Sequence, residues 1–147
     1  MNAPECTVAI AGPVYPDQLG AAFSEATGTL QSALVFDKRG LVTADQIGIL
    51  QAVADYPQVA QRLEARYVTP IQANVGKPDE ILDSVWAYLQ CQRSIKQASV
   101  ALSIHVNTLR YRLAKFESTV GAQLDDTQTL VEMWWVMQSR QRSKSTH

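Results

Sequence analysis

Apolar residues follow two different rhythms along this chain. A short β-branched stretch lies near the start, and apolar positions recur at spacings of three and four from there to near the end. Thr7 to Ala11 is β-branched and apolar and is closed by Gly12-Pro13, which predicts a short strand. Pro16 to about Gln31 predicts a helix with Leu19, Phe23, Ala26 and Leu30 on one face. Ala33 to Phe36 predicts a second strand, closed by the turn-like Asp37-Lys38-Arg39-Gly40. Together these make a β-α-β unit whose edges need further strands or a second subunit to cover them.

From Thr43 onward only helices are expected. They run from Thr43 to Ala54, from Pro57 (well placed at the first helical position) to about Ala73, and from Pro78 to about Cys91. The helix from Pro78 has Asp79 and Glu80 in its first turn and carries Ile81, Leu82, Val85 and Leu89. Asn74-Val75-Gly76-Lys77 reads as a linker. A last helix is expected from Asp126 to Gln141, followed by a polar tail, Arg142 to His147, expected to fray. The fold class is α+β and mostly α: residues 1–75 form a small β-α-β lobe with added helices, and residues 76–147 form an all-helical domain.

The run Ser94 to Phe116 narrows this further. Ser94 followed by Gln97 has capping-box spacing, so a helix should start at Ile95, with Ile95, Ala98 and Leu102 as its apolar positions. Ala98 and Ser99 are small enough to let a second helix approach closely. The period breaks at Ser103-Ile104. A second pattern then begins with His105 as N-cap and with Leu109, Leu113 and Phe116 at i, i+4 and i+7; Gly121 is a natural stop. Two short helices joined by a tight turn are a helix-turn-helix, an arrangement that delivers its second helix to the major groove of DNA.

A helical wheel at about 100° per residue separates the roles on that second helix. With Leu109 at zero, Leu113 and Phe116 fall within about 40° of it and form the buried stripe, while Asn107 and Tyr111 fall within about 20° of the opposite pole. Asn107 suits adenine N6 and N7, and Thr108 lies in the first turn near the backbone. Arg110 and Lys115 flank the outward face, where phosphates would lie. Arg112 projects toward the edge of the buried stripe, where an acidic neighbour and a phosphate compete for it. His105 is a base or phosphate contact, a metal ligand or a structural cap, and capping is the role its position favours.

The string His105-Val106-Asn107-Thr108-Leu109-Arg110-Tyr111-Arg112-Leu113, preceded by Tyr88-Leu89 and Ala98 and followed by Gly121 and Leu124, closely resembles the C-terminal helix-turn-helix of the PucR and CdaR regulators. The resemblance covers about Pro78 to Gln138. It implies a bacterial transcription factor of the kind that controls catabolic genes, with double-stranded DNA as partner and a homodimer reading two half-sites. Val8 to Leu30 is similar, more weakly, to part of the degenerate GGDEF-like domain that precedes this helix-turn-helix in the family. The chain departs from the family pattern at Val106, where Arg is common, at Ser99, where a second Ala is usual, and at Cys91 and Gln92, where an Asn is common. Family members usually carry a further sensory region, so the length suggests a fragment, a truncated product or a minimal member.

Composition and charge bound that reading: a near-neutral protein argues against strong non-specific DNA binding, so dimerisation would have to supply much of the affinity. A chain of 147 residues, 46% hydrophobic, is long enough for a packed core. No apolar run approaches a membrane span, and Met1 to Gly12 lacks a basic leader, which predicts a cytoplasmic protein with no membrane partner. The formal charge is −1, yet Ser94 to Lys115 carries Lys96, Arg110, Arg112 and Lys115 and no acid. Cys6 and Cys91 have no CxxC spacing and are expected as reduced thiols. With His147 the only other histidine, no metal set, catalytic dyad or cofactor loop can be assembled, and no enzyme is expected. No residue pattern specifies a small-molecule effector. Trp134 and Trp135 are expected to divide, one in the core and one outside it. A protein-interaction module that regulates a full-length relative is the alternative reading.

Overall fold

The structure, a computed structural model, describes residues 6–145, with side chains as far as Gln141. It divides into two compact units, Met1–Pro57 with Gln138–His147, and Gln58–Met137.

The first unit is a β-α-β unit followed by two short helices. Strand β1 (Thr7–Ile10) leads through a 3-10 turn at Pro16–Gln18 into helix α1 (Leu19–Val35), and strand β2 (Gly40–Thr43) follows. The strands pair in parallel, Thr7 opposite Gly40 through Ile10 opposite Thr43, as a helical crossover requires. The second strand therefore starts seven residues later than the Ala33 expected from sequence. Ala33 to Val35 is instead the last turn of α1, because Ala33 is buried on the helix's packed face with Thr29 and Ser32. The helix ends at Asp37, whose φ of 50° allows Asp37 N–H to donate to Leu34 O and Lys38 N–H to donate to Ala33 O.

The expected apolar face of α1 is also corrected. Leu19 and Phe23 are 61% and 75% exposed, since neighbouring elements cover only the C-terminal half of the helix, on its Thr29/Ser32/Ala33 side. The single helix expected over Thr43 to Ala54 is two: α2 (Ala44–Ile47) and α3 (Leu50–Asp55). They are separated at Gly48, whose φ of 53° leaves the right-handed helical region and interrupts the ladder. A small core of Ala33, Val42 and Ile47 holds this unit.

The second unit is helical. Helices α4 (Pro57–Asn74), α5 (Pro78–Gln90), α6 (Ile95–Ala101), α7 (Val106–Val120) and α8 (Thr127–Ser145), whose residues from Gln138 onward belong to the first unit, agree with the sequence expectation to within one or two residues at every end but the last. The expected frayed tail is helical to Ser145, and residues 146–147 lie outside those described. Tyr67, Val68 and Ile71 of α4 share one core with Val85, Leu109, Phe116, Met133 and Val136. The Tyr67 and Phe116 rings stack with centroids 6.3 Å apart and an 18° interplanar angle. Thr129, Met133, Val136 and Met137 occupy the core face of α8, so Trp134 and Trp135 are both half-buried and neither is the fully buried one expected. Cys6 and Cys91 are free thiols. No helix among the described residues is long and apolar enough to cross a membrane.

Candidate nucleic-acid interface

Each end of the helix-turn-helix is closed by a side chain or backbone device that the local sequence supplies. Ser94 accepts a hydrogen bond from Gln97 N–H at 3.3 Å and starts α6. Ala98 and Ser99, fully buried or nearly so, let α7 approach, and Ser99 Oγ donates to Lys96 O at 2.9 Å, so its hydroxyl is not left unpaired in the core. The turn is a Schellman motif: Ile104 N–H donates to Ser99 O and Ser103 N–H to Val100 O, both at 3.0 Å. Ser103 takes the left-handed position there, with φ 54°. A Cβ at that position is unfavourable, so Ser103→Gly is expected to stabilise the protein by roughly 0.5–1 kcal/mol net of glycine's greater unfolded-state freedom. A thermal melt checks this, and an unchanged or lower midpoint contradicts it.

Helix α7 opens on His105, whose Nδ1 accepts from Asn107 N–H at 3.2 Å. This makes His105 the N-cap. The helix closes on Gly121 in the left-handed conformation, φ 68°, donating to Glu117 O. Between those ends Leu109, Leu113 and Phe116 are buried, as their spacing requires.

The side chains singled out from sequence divide into two groups. His105, Asn107, Thr108, Arg110 and Tyr111 are exposed together over the first half of α7, Tyr111 at 68%, and Lys115 is half-buried one turn further on. Arg112 is set apart from them. Its side chain is only 18% exposed and forms an ion pair with Glu80 in the first turn of α5. Glu80 also holds Lys77 at 2.7 Å. The hydrogen bond from Lys77, with the nearby Arg112 guanidinium, keeps the Glu80 carboxyl below its usual value. On the far side of α7, Glu117 Oε1 accepts Leu124 N–H at 2.8 Å, tying the helix to the loop before α8. That loop ends on Asp126, which caps α8 by accepting from Thr129 N–H and Oγ1 at 2.8 and 2.9 Å. The backbone hydrogen bond from Thr129 is the main reason its carboxyl lies below the ordinary value.

Sequence reasoning placed Glu80 only in the first turn of its own helix and had no role for Glu117. Glu80 meets Arg112 across 32 residues of chain, and no spacing rule connects them. Among the described residues no group of three or more His, Cys, Asp or Glu side chains converges as a metal site would require. The outward face of α7 therefore offers an amide, two hydroxyls and a guanidinium on a rigid helix, which is hydrogen-bonding chemistry for a polar, anionic surface.

Residues 81–138 match the PucR C-terminal helix-turn-helix domain. That span begins within α5 and ends in α8, so the PucR-type match takes in the α6-turn-α7 pair and the helices that brace it. The chain is also similar to the Bacillus subtilis (strain 168) protein YsfB, 38% identical over 55 residues, which is 37% of this chain and 15% of that protein. Among solved structures it is similar to a regulator of polyketide synthase expression from Bifidobacterium adolescentis. That likeness has 21% identity and a TM-score of 0.45, covering 85% of this chain and 50% of the other. The chain thus spans half of that solved chain and a smaller share of the curated relative.

Proposed function

We propose that this protein is a sequence-specific DNA-binding transcriptional regulator, or the DNA-binding part of one, that acts in the cytoplasm as a homodimer. The observation that carries the reading is the common exposure of Asn107, Thr108, Arg110 and Tyr111 on one helix of a PucR-type helix-turn-helix whose opposite face is fully packed. The N-terminal half of α7 enters the major groove. Asn107 and Tyr111 reach base edges there, while Arg110, Lys115 and Thr108 hold phosphates, with His105 fixing the start of the helix. Residues 76–147 carry this activity. The β1-α1-β2 lobe is a partial GGDEF-like lobe that serves as spacer or dimer contact.

The test is selection from a pool of randomised duplexes at two salt concentrations. The expected result is an enriched, two-fold related site whose binding weakens steeply with salt. Retention of no sequence at either salt would overturn the reading. On the selected site, Asn107→Ala should lose about 1–3 kcal/mol of discrimination against a scrambled duplex. Arg110→Ala should instead weaken both duplexes alike and lower the salt slope by about one. An Asn107→Ala protein that discriminates as well as wild type would remove Asn107 from the base-reading set.

A second reading, a protein-interaction module, draws support from the lobe. Val8, Ile10 and Leu41 leave one face of the two-stranded sheet 45–61% exposed, and Tyr15, Leu19 and Phe23 are more than half exposed nearby in sequence. Capture of a protein partner with no salt-sensitive DNA binding would favour it.

A further inference from the structure

Helix α7 is tied at both edges of its buried stripe. Taking Leu109 as zero on the helical wheel, Leu113 lies at about 40° and Phe116 at about −20°. Arg112 falls at about −60°, on one edge, and pairs with Glu80. Glu117 falls at about 80°, on the other edge, and accepts Leu124 N–H. Apolar packing fixes which face of a helix is buried, but its individual contacts are weak and non-directional, which leaves small rotations about the axis. Two directional ties on opposite edges remove that freedom. The residues whose aim they set are Asn107 and Tyr111, which project from the far side of the same rigid helix.

Arg112 is also poorly placed to reach a phosphate. Its side chain is largely covered, and its guanidinium is engaged by a carboxylate that Lys77 also pairs with. We infer that Arg112 is a positioning residue, whose pairing with Glu80 sets the rotation of α7 and hence the register of Asn107 and Tyr111 on DNA, and that it is not itself a phosphate contact. This rests on the DNA-reading function proposed above.

The two roles predict opposite results for Glu80→Gln, which removes the charge that pairs with Arg112 without touching the outward face of α7. If Arg112 positions the helix, the ratio of affinities for the selected and scrambled duplexes falls about tenfold, with the salt slope unchanged. The charge-swapped double variant Glu80→Arg, Arg112→Glu then recovers part of the ratio. If Arg112 is a phosphate contact held in reserve, freeing it tightens both duplexes and steepens the slope by about one, which would overturn the inference. An unchanged ratio and slope would overturn it equally. The ratio is insensitive to any loss of stability, since both duplexes meet the same folded fraction. A wild-type protein with no preferred site would fail the DNA-reading function and not this inference, which the free protein also reports. Amide shifts of Asn107 and Tyr111 should move in Glu80→Gln and return in the swapped variant, and shifts that stay in place would sink the positioning role.

Discussion

Phe116→Ala is expected to destabilise the protein by about 3–5 kcal/mol, the cost of removing a buried aromatic side chain and leaving a cavity that its neighbours only partly fill. Phe116 has no exposed surface, stacks on Tyr67 of α4, and belongs to the stripe that seats α7. Its loss therefore removes packing from both helices at once. Against a typical domain stability of about 5–15 kcal/mol, this removes between about a fifth and all of the margin. Urea denaturation followed by tryptophan fluorescence measures the change. Tyr111→Ala on the same helix is the control: Tyr111 is 68% exposed, and its removal should alter stability by no more than about 0.5 kcal/mol. Similar losses in the two variants would mean that α7 is not seated on the Leu109/Leu113/Phe116 stripe.

The second large effect is expected at Glu132, which joins α8 to α4. Tyr67 Oη donates to Glu132 Oε2 at 2.5 Å, Arg66 Nη1 donates to the same oxygen at 3.1 Å, and Gln128 Nε2 donates to Oε1 at 2.8 Å. Arg66 also lies over the Tyr67 ring, 5.1 Å from its centroid. Glu132→Ala leaves the Tyr67 hydroxyl in the core without this acceptor, at a cost of about 1–3 kcal/mol. Tyr67→Phe together with Glu132→Ala should recover part of that loss, because no buried hydroxyl then remains. A double variant no more stable than Glu132→Ala would contradict this account.

The same cluster predicts how stability varies with pH. Burial by itself would push the Glu132 carboxyl up, but the hydrogen bonds from Tyr67 and Gln128 and the Arg66 guanidinium outweigh it and leave the group below its ordinary value. A carboxylate lowered on folding stabilises the folded state fully above its unfolded value and loses that contribution as pH falls through the folded one. Burial, then the hydrogen bond to Glu132, push the Tyr67 phenol upward. Its contribution is present below the ordinary tyrosine value and is lost as pH rises through the folded one. Stability should therefore fall on both sides of neutrality, with the acid limb flattened in Glu132→Ala. An acid limb of unchanged steepness in that variant would place the titrating group elsewhere.

The helix-turn-helix was legible in the sequence because local rules govern nearly every part of it. Ser94 and His105 cap the helices that follow them, Gly121 stops α7, and the spacing of Leu109, Leu113 and Phe116 defines which face is buried. Each of these depends on residues within a turn or two of one another, so spacing alone identifies them and places Asn107 and Tyr111 on the opposite face. The lobe was less legible for the converse reason. Ala33 to Phe36 has strand-like composition, but whether a segment is the end of a helix or a strand depends on what it packs against. Here the burial of Thr29, Ser32 and Ala33 and the left-handed Asp37 extend α1 and shift β2 to Gly40–Thr43. Periodicity marked Leu19 and Phe23 as an apolar face, yet no neighbour within the described lobe covers them.

By itself, then, the sequence determined the β-α-β order, the helices from Pro57 onward, the caps of the helix-turn-helix and the outward face of α7, all of which follow from backbone geometry over short separations. Only the tertiary structure decided that α4 shares a core with α5 to α8, that Glu132 joins Arg66 and Tyr67, and that Arg112, at the edge of the buried stripe, takes Glu80 as its acidic partner. Those are contacts between residues distant in the chain, and their energies depend on burial and direction that arise only once the helices have packed.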